Sequence, residues 1–210
     1  DYFEDRTAAL GIAELSGQYV SWHGDFFDYD NDGDLDIFIT NGDAHHLTHT
    51  MEPLLLANVP MAEGWRRFVD ISGESGEVFR HRCLSRGGAA GDYDNDGDLD
   101  LFVLHLDQAS VLLRNDGGNT RHWLMVGLKG TVSNRDGIGV RVTVEAGGVK
   151  QMAEALSGSG YISQGDPRLH FGLGRNGVVD AVMVRWPSGR VQRFEEVAAD
   201  QVLMIEETED

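Results

Sequence analysis

With 210 residues and 41% hydrophobic content the chain is long enough to bury a core as one large or two small domains, and no apolar run reaches the ~18 residues of a bilayer-spanning helix. Its formal net charge is −18, and 23 acids against 7 bases lie before residue 119. That balance argues against nucleic acid as a partner, because phosphate binding needs clustered Lys and Arg. The single cysteine, Cys83, rules out an intrachain disulfide and a cysteine-rich zinc site.

In chain order, FEDRT at 3–7 followed by Gly11 reappears as FVDIS at 68–72 followed by Gly76. A small-residue approach follows each, Trp22–Asp25 and then Arg86–Ala89, and each leads into the same nonapeptide, DYDNDGDLD, at 28–36 and 92–100. The tails LDIFIT (35–40) and LDLFVL (99–104) are short and rich in β-branched and aromatic residues, and they predict buried strands. Between the copies, residues 44–58 predict a helix in an insertion. Such a helix sets His45 and His49 one turn apart near Asp43, a candidate transition-metal site. Repetition at roughly 65 residues signals a solenoid or propeller whose units bury their faces against neighbours.

From about residue 119 the pattern changes. Residues 123–128, 139–145, 149–156 and 179–186 alternate with partial or strict period two, and NRDG (134–137), Gly147-Gly148 and PSG (187–189) supply turns. Short strands with such turns predict a compact β-sandwich or barrel. The expected chain is mainly β, a repeat region at 1–118 followed by a different β domain at 119–210.

Five aspartates in nine residues repel one another unless a cation sits among them. Read as loop positions, Asp28, Asp30 and Asp32 stand at 1, 3 and 5, Gly33 at 6 and Asp36 at 9; in the second copy these are Asp92, Asp94, Asp96, Gly97 and Asp100. Hard oxygen ligands at alternating positions, with a glycine for the sharp turn, match the first nine positions of a calcium loop. The carbonyls of Asp34 and Asp98 at position 7 add a ligand. An EF-hand needs glutamate at position 12, where Ile39 and Val103 stand, so the expected form is a strand–loop–strand Ca²⁺ site closed at position 9.

Other constellations carry less. GLGRNG (172–177) fits GxGxxG, but the strand expected at 178–186 replaces the helix that a dinucleotide site requires. Asn134, Arg135, Asp136, Ser163, Gln164 and His170 sit on separate turns that a fold could bring together. Three readings stay open for them: a structural hydrogen-bond network, a recognition site for carbohydrate or another polar ligand, and catalysis. Ser163 and His170 lack the strand–elbow–helix setting of a hydrolase nucleophile.

On these residues the first part of the chain resembles FG-GAP/VCBS repeats, the calcium-loop blades of integrin-type β-propellers. HWL (122–124), GTVSNRDGIG (130–139), GSGYISQ (158–164), PRLHFGLG (167–174) and WPSG (186–189) resemble the ASPIC/UnbV domain. The resemblance implies a partial β-propeller of two calcium-loop blades plus a C-terminal β-sandwich or barrel-like domain. It also implies an extracellular, periplasmic or cell-surface location. Two blades cannot close a propeller of 4–8. The missing blades are therefore expected from a longer parent chain or from oligomerisation, unless the insertion and the C-terminal domain cap the edges. The leading expectation is a non-catalytic calcium-binding module for adhesion to extracellular protein or carbohydrate. An enzyme or biosynthetic accessory protein with a polar site in the C-terminal domain, and a structural spacer, are the alternatives.

Overall fold

The computed structural model describes residues 3–45, 48–117 and 120–208. The chain is mainly β. An antiparallel sheet runs in simple order through β1 (Ser21–Phe27), β2 (Asp36–Asn41), β3 (Leu54–Pro60) and β4 (Arg66–Asp70). A second repeats the first three strands as β5 (Ser85–Gly91), β6 (Asp100–His105) and β7 (Val111–Leu113). The remaining strands are β8 (His122–Lys129), β9 (Arg141–Ala146), β10 (Val149–Glu154), β11 (Leu169–Gly174), β12 (Val178–Arg185), β13 (Val191–Ala198) and β14 (Gln201–Glu206). They form two sheets, β10-β9-β12-β13 and β11-β8-β14. Among the described residues no sheet closes into a barrel or a propeller.

Each nonapeptide is the loop of a hairpin, β1–β2 in the first copy and β5–β6 in the second. The turn needs left-handed backbone twice. Asn31 (φ 59°) and Gly33 (φ 94°) supply it in one loop, Asn95 (φ 61°) and Gly97 (φ 98°) in the other. Asparagine and glycine are the residues that adopt this region at least cost.

The two repeat sheets stack. Phe38 and Leu55 on one face of the first sheet share a core with Leu99, Leu101 and Val103 of the second, closed by Phe27 and Phe79. The opposite face of the first sheet, with Ile37, Ile39, Leu54 and Leu56, is covered by Leu10 and by the short helix α1 (Ile12–Ser16). In the C-terminal region the apolar residues expected from period-two alternation point inward together. Val142, Val144, Val182 and Val184 from one sheet meet Leu124, Val126, Phe171 and Ile205 from the other. Trp123 and Trp186 are buried at 8% and 2% exposure, so both are core residues and not ligand platforms.

The helix expected over 44–58 is not formed. Residues 54–60 are strand β3, and the described residues 44, 45 and 48–53 are bend, turn or irregular backbone, with Met51 bridged to Cys83. Leu54, Leu55 and Leu56 are buried on both faces of the first sheet, which overrides their helical propensity. His46 and Leu47 lie outside the described residues. After GLGRNG comes β12, as the sequence required.

Glu207 was not singled out by sequence, yet it closes the C-terminal region. Its carboxylate, 2% exposed, accepts the backbone N–H groups of Thr131 (3.1 Å), Val132 (2.9 Å) and Ser133 (2.6 Å) and the hydroxyls of Ser133 (3.0 Å) and Ser188 (2.5 Å). Burial raises this carboxyl group, but the Ser188 hydroxyl and the three amides outweigh it and pull the pKa down from 4.5 to about 2. Its folded pKa is depressed, so the stability it contributes is present above pH 4.5 and is lost as pH falls from there through about 2. Glu207→Gln is expected to lower the melting temperature at neutral pH, with the gap to the native protein narrowing below pH 4.5. A gap that does not narrow on acidification contradicts this assignment.

Candidate metal centres

The two loops are built alike, bond for bond. Position 1 closes the turn: Asp28 accepts the amides of Asp32 (3.1 Å) and Gly33 (2.8 Å), and Asp92 accepts those of Asp96 and Gly97 (both 3.1 Å). Position 5 caps the next residue: Asp32 accepts from the Asp34 amide and Asp96 from the Asp98 amide, each at 3.0 Å. Position 9 ties the loop to the sheet. Asp36 accepts from Tyr29 N and Asn58 N, and Asp100 from Tyr93 N and Asn115 N. Asn58 and Asn115 are equivalent, each also donating its side-chain amide to the carbonyl just before position 9, at Leu35 and Leu99. No nonapeptide pattern points to these asparagines; only the strand pairing does.

The result is two convergent carboxylate triads. Asp28, Asp30 and Asp36 bring one oxygen each within 4.8 Å of one another, and Asp92, Asp94 and Asp100 do the same. Asp28, Asp36, Asp92 and Asp100 are each under 5% exposed. Burial, first, and then the neighbouring carboxylates raise Asp28 and Asp36 to about 7 against the help of backbone amides; Asp92 and Asp100 are raised for the same leading cause. Buried acids that resist ionisation beside one another are a site short of positive charge. The all-oxygen donor set fits a hard cation such as Ca²⁺. Asn31 is 1% exposed, and its side-chain oxygen has no hydrogen-bond partner among the described residues.

Of the ten predicted ligands, the structure therefore brings together positions 1, 3 and 9 of each loop. Asp32 and Asp96 each accept the amide two residues on. The Asp34 side chain is paired with Arg66 and that of Asp98 is fully buried, while the ligand expected at these two positions is the main-chain carbonyl.

The C-terminal sheets clasp both loops. Arg121 reaches Asp30, with Nη1 at 2.7 Å from Oδ2 and 2.9 Å from the carbonyl. Arg168 donates to Asp92 O (2.8 Å) and Asn95 Oδ1 (2.7 Å), while Asp166 holds its guanidinium. The Trp123 ring lies so close over Gly97 that a Cβ there would overlap it, and a Cβ on Gly172 would overlap Asp28. The loops also touch each other, through Asn31 Nδ2 and Gly97 O at 3.1 Å.

The six other candidates do not converge into one site. Asn134 closes its own turn on Ile138 through both side-chain atoms (2.8 Å each), and Arg135 and Asp136 are exposed on that turn. His170 instead faces the second loop, where Nε2 lies 3.2 Å from Gly97 O. Burial lowers its pKa to about 4, so the ring is neutral and Nε2–H is the donor. Gln164 lines a groove of about 260 Å³ beside Asp92 and Phe102. Ser163 lies not with His170 but beside His23, which sequence reading passed over. The His23 ring is packed against Gly88 and Gly160, and its two nitrogens and Ser163 Oγ have no hydrogen-bond partner among the described residues. Asp43 is 3.7 Å from His49 and accepts the His45 amide, in a turn rather than on a helix, and no three-ligand cluster forms there among the described residues. Cys83 is buried, and burial followed by the Asp107 charge pushes its thiol pKa up, away from a reactive thiolate.

Over 180 residues the chain is 28% identical to cartilage acidic protein 1 of Mus musculus, covering 78% of this chain and 25% of that protein. The Homo sapiens protein gives 28% over 180 residues (78% and 24%), and that of Xenopus tropicalis 28% over 173 residues (78% and 25%). The chain thus spans about a quarter of the length of the curated relatives it matches. Residues 130–210, which hold β9 to β14 and the Glu207 closure, match the family described as ASPIC and UnbV.

Proposed function

We propose that this chain is a calcium-binding module of an extracellular, periplasmic or cell-surface protein, used for adhesion or ligand binding, in which Ca²⁺ acts structurally. In this reading residues 1–118 are two FG-GAP/VCBS-like blades of a partial propeller, and residues 119–210 are an ASPIC/UnbV-like β-sandwich fastened over their loops. The observation that carries it is the duplicated triad, Asp28/Asp30/Asp36 and Asp92/Asp94/Asp100, held by one hydrogen-bond scheme in both copies. A bound cation would neutralise each triad and hold positions 1, 3 and 9 together. Metal binding then becomes folding free energy. Arg121 and Arg168 contact the same loops from the C-terminal sheets, so the order a metal imposes would extend across the junction. No helix of the described residues is long and apolar enough to cross a membrane.

The test is calcium stoichiometry by titration calorimetry on chelator-treated protein. Two Ca²⁺ per chain are expected, with Asp28→Ala and Asp92→Ala each removing one. Absence of binding in the native chain, or full stoichiometry in either variant, overturns the assignment.

A further inference from the structure

We propose that the outer face of the β5–β6–β7 sheet is a self-association surface that takes the first sheet of a second copy of this chain, on the face that α1 covers. The internal repeat supplies the template. Phe38 pairs with Leu55 across β2 and β3, and Phe102 pairs with Leu112 across β6 and β7; each phenylalanine stands two residues after the closing aspartate of its loop. Their environments differ sharply. Phe38 and Leu55 are 0% and 5% exposed because they pack on the second sheet, while Phe102 and Leu112 are 45% and 50% exposed. Leu104, on the same face as Phe102, is 44% exposed. A contiguous apolar face of this kind marks an interaction surface.

The same template names the complement. Phe38 and Leu55 sit on a face built from Leu101 and Val103, whose equivalents in the first sheet are Ile37 and Ile39. A second copy therefore carries the surface that Phe102 and Leu112 are shaped to meet. Within one chain that face is covered, with Ile37, Ile39, Leu54 and Leu56 at most 8% exposed beneath Leu10, Ile12, Leu15 and Tyr19, so docking requires the cover to move. The five-residue helix α1 has no side-chain cap and buries none of its residues fully. Beside it, along Ile12, Phe26, Ile37 and Ile39, runs an open groove of about 380 Å³. Phe26 at its edge is 62% exposed. Seating Phe102 and Leu112 there, with α1 displaced, would extend the existing sheet stack by one step across two chains. The contact is heterologous, so it generates a ring or a head-to-tail series and not a two-fold pair.

Sedimentation velocity over a wide concentration range tests this on the intact chain. The native protein is expected to associate with concentration. Phe102→Glu combined with Leu112→Glu, both at half-exposed sites, should weaken association at least ~10-fold, as removal of central anchors does. Ile12→Asp, which loosens the cap, should strengthen it. Circular dichroism checks that each variant keeps its β signature. A native chain and an Ile12→Asp variant that both stay monomeric overturn the proposal, and so does association untouched by the two glutamates. Running each sample in calcium and in chelator separates failure of docking from failure of the loops to bind metal.

Discussion

Chelator-treated protein should melt at a distinctly lower temperature than the same protein in Ca²⁺, with a saturable rise on titration that Mg²⁺ does not reproduce. A ligand that binds only the folded state stabilises it by about 2.7 kcal/mol at a hundred times its dissociation constant. For a chain of this size 1 kcal/mol is worth ~2–4 °C, so each occupied loop should contribute ~5–10 °C. The sign follows from the site. Asp28, Asp36 and Asp100 are buried next to like charge, and Asp92 is buried in the matching triad. Without a cation, Arg121 and Arg168 at the loops' outer side offset only part of that cost. Magnesium is smaller, demands a near-ideal octahedron and dehydrates reluctantly, so a ring of carboxylates supplied by one nine-residue loop serves it poorly. Asp92→Ala should remove about half of the calcium-dependent rise while leaving the Asp28 loop responsive. Equal shifts in the two metals, or no shift with folding intact, would leave the nonapeptides as acidic turns.

The second large effect is expected from a single methyl group. Gly97 and Gly33 hold the same place in their loops with nearly the same backbone, φ 98° and 94°, so replacing either by alanine carries the same left-handed penalty of about 1–2 kcal/mol. Their surroundings differ. A Cβ on Gly33 would meet Gly172 O at 3.3 Å and Gln151 Nε2 at 3.4 Å, contacts that a small shift relieves. A Cβ on Gly97 would overlap the Trp123 indole, which is itself buried at the start of β8 and has little room to retreat. Overpacking of that kind costs a further ~1–3 kcal/mol. Gly97→Ala should therefore lower the melting temperature well beyond Gly33→Ala, measured side by side in calcium. It should also lower calcium affinity at the second loop, because Asp92 accepts the amide of Gly97. Equal losses in the two variants would mean that Trp123 does not clamp the loop.

Much of the architecture was legible in the residue pattern. The alternating stretches near 141–146 and 178–185 are strands with one face buried, and a period of two records that directly. By contrast, 123–127 is buried on both faces, and 149–154 lies at a sheet edge with no fully buried residue. β1 and β5 were harder to read, since Gly24, Gly87, Gly88 and Gly91 carry no side chain that records burial. Residues 54–58 were misread as helix because three consecutive leucines fit either period; only their place between β2 and β4, with both faces covered, makes them a strand.

The candidate centres divide in the same way. Spacing alone set aspartates at positions 1, 3, 5 and 9 around a glycine, because a loop must alternate its ligands to surround an ion. Which oxygens converge, those of positions 1, 3 and 9, with one oxygen of position 5 accepting the amide two residues on, was decided by backbone amides that no spacing reveals. The same holds for long-range partners. Asn58 and Asn115 reach the loops from the next strand, Arg121 and Arg168 from the C-terminal sheets, and Glu207 finds its amides 74 to 76 residues away. Sequence by itself determined the local chemistry, two acidic turns and a run of amphipathic strands, because periodicity and turn propensity act over a few residues. Only the tertiary structure decided what those turns touch and which apolar faces are left open, because contacts between distant segments depend on how whole sheets pack.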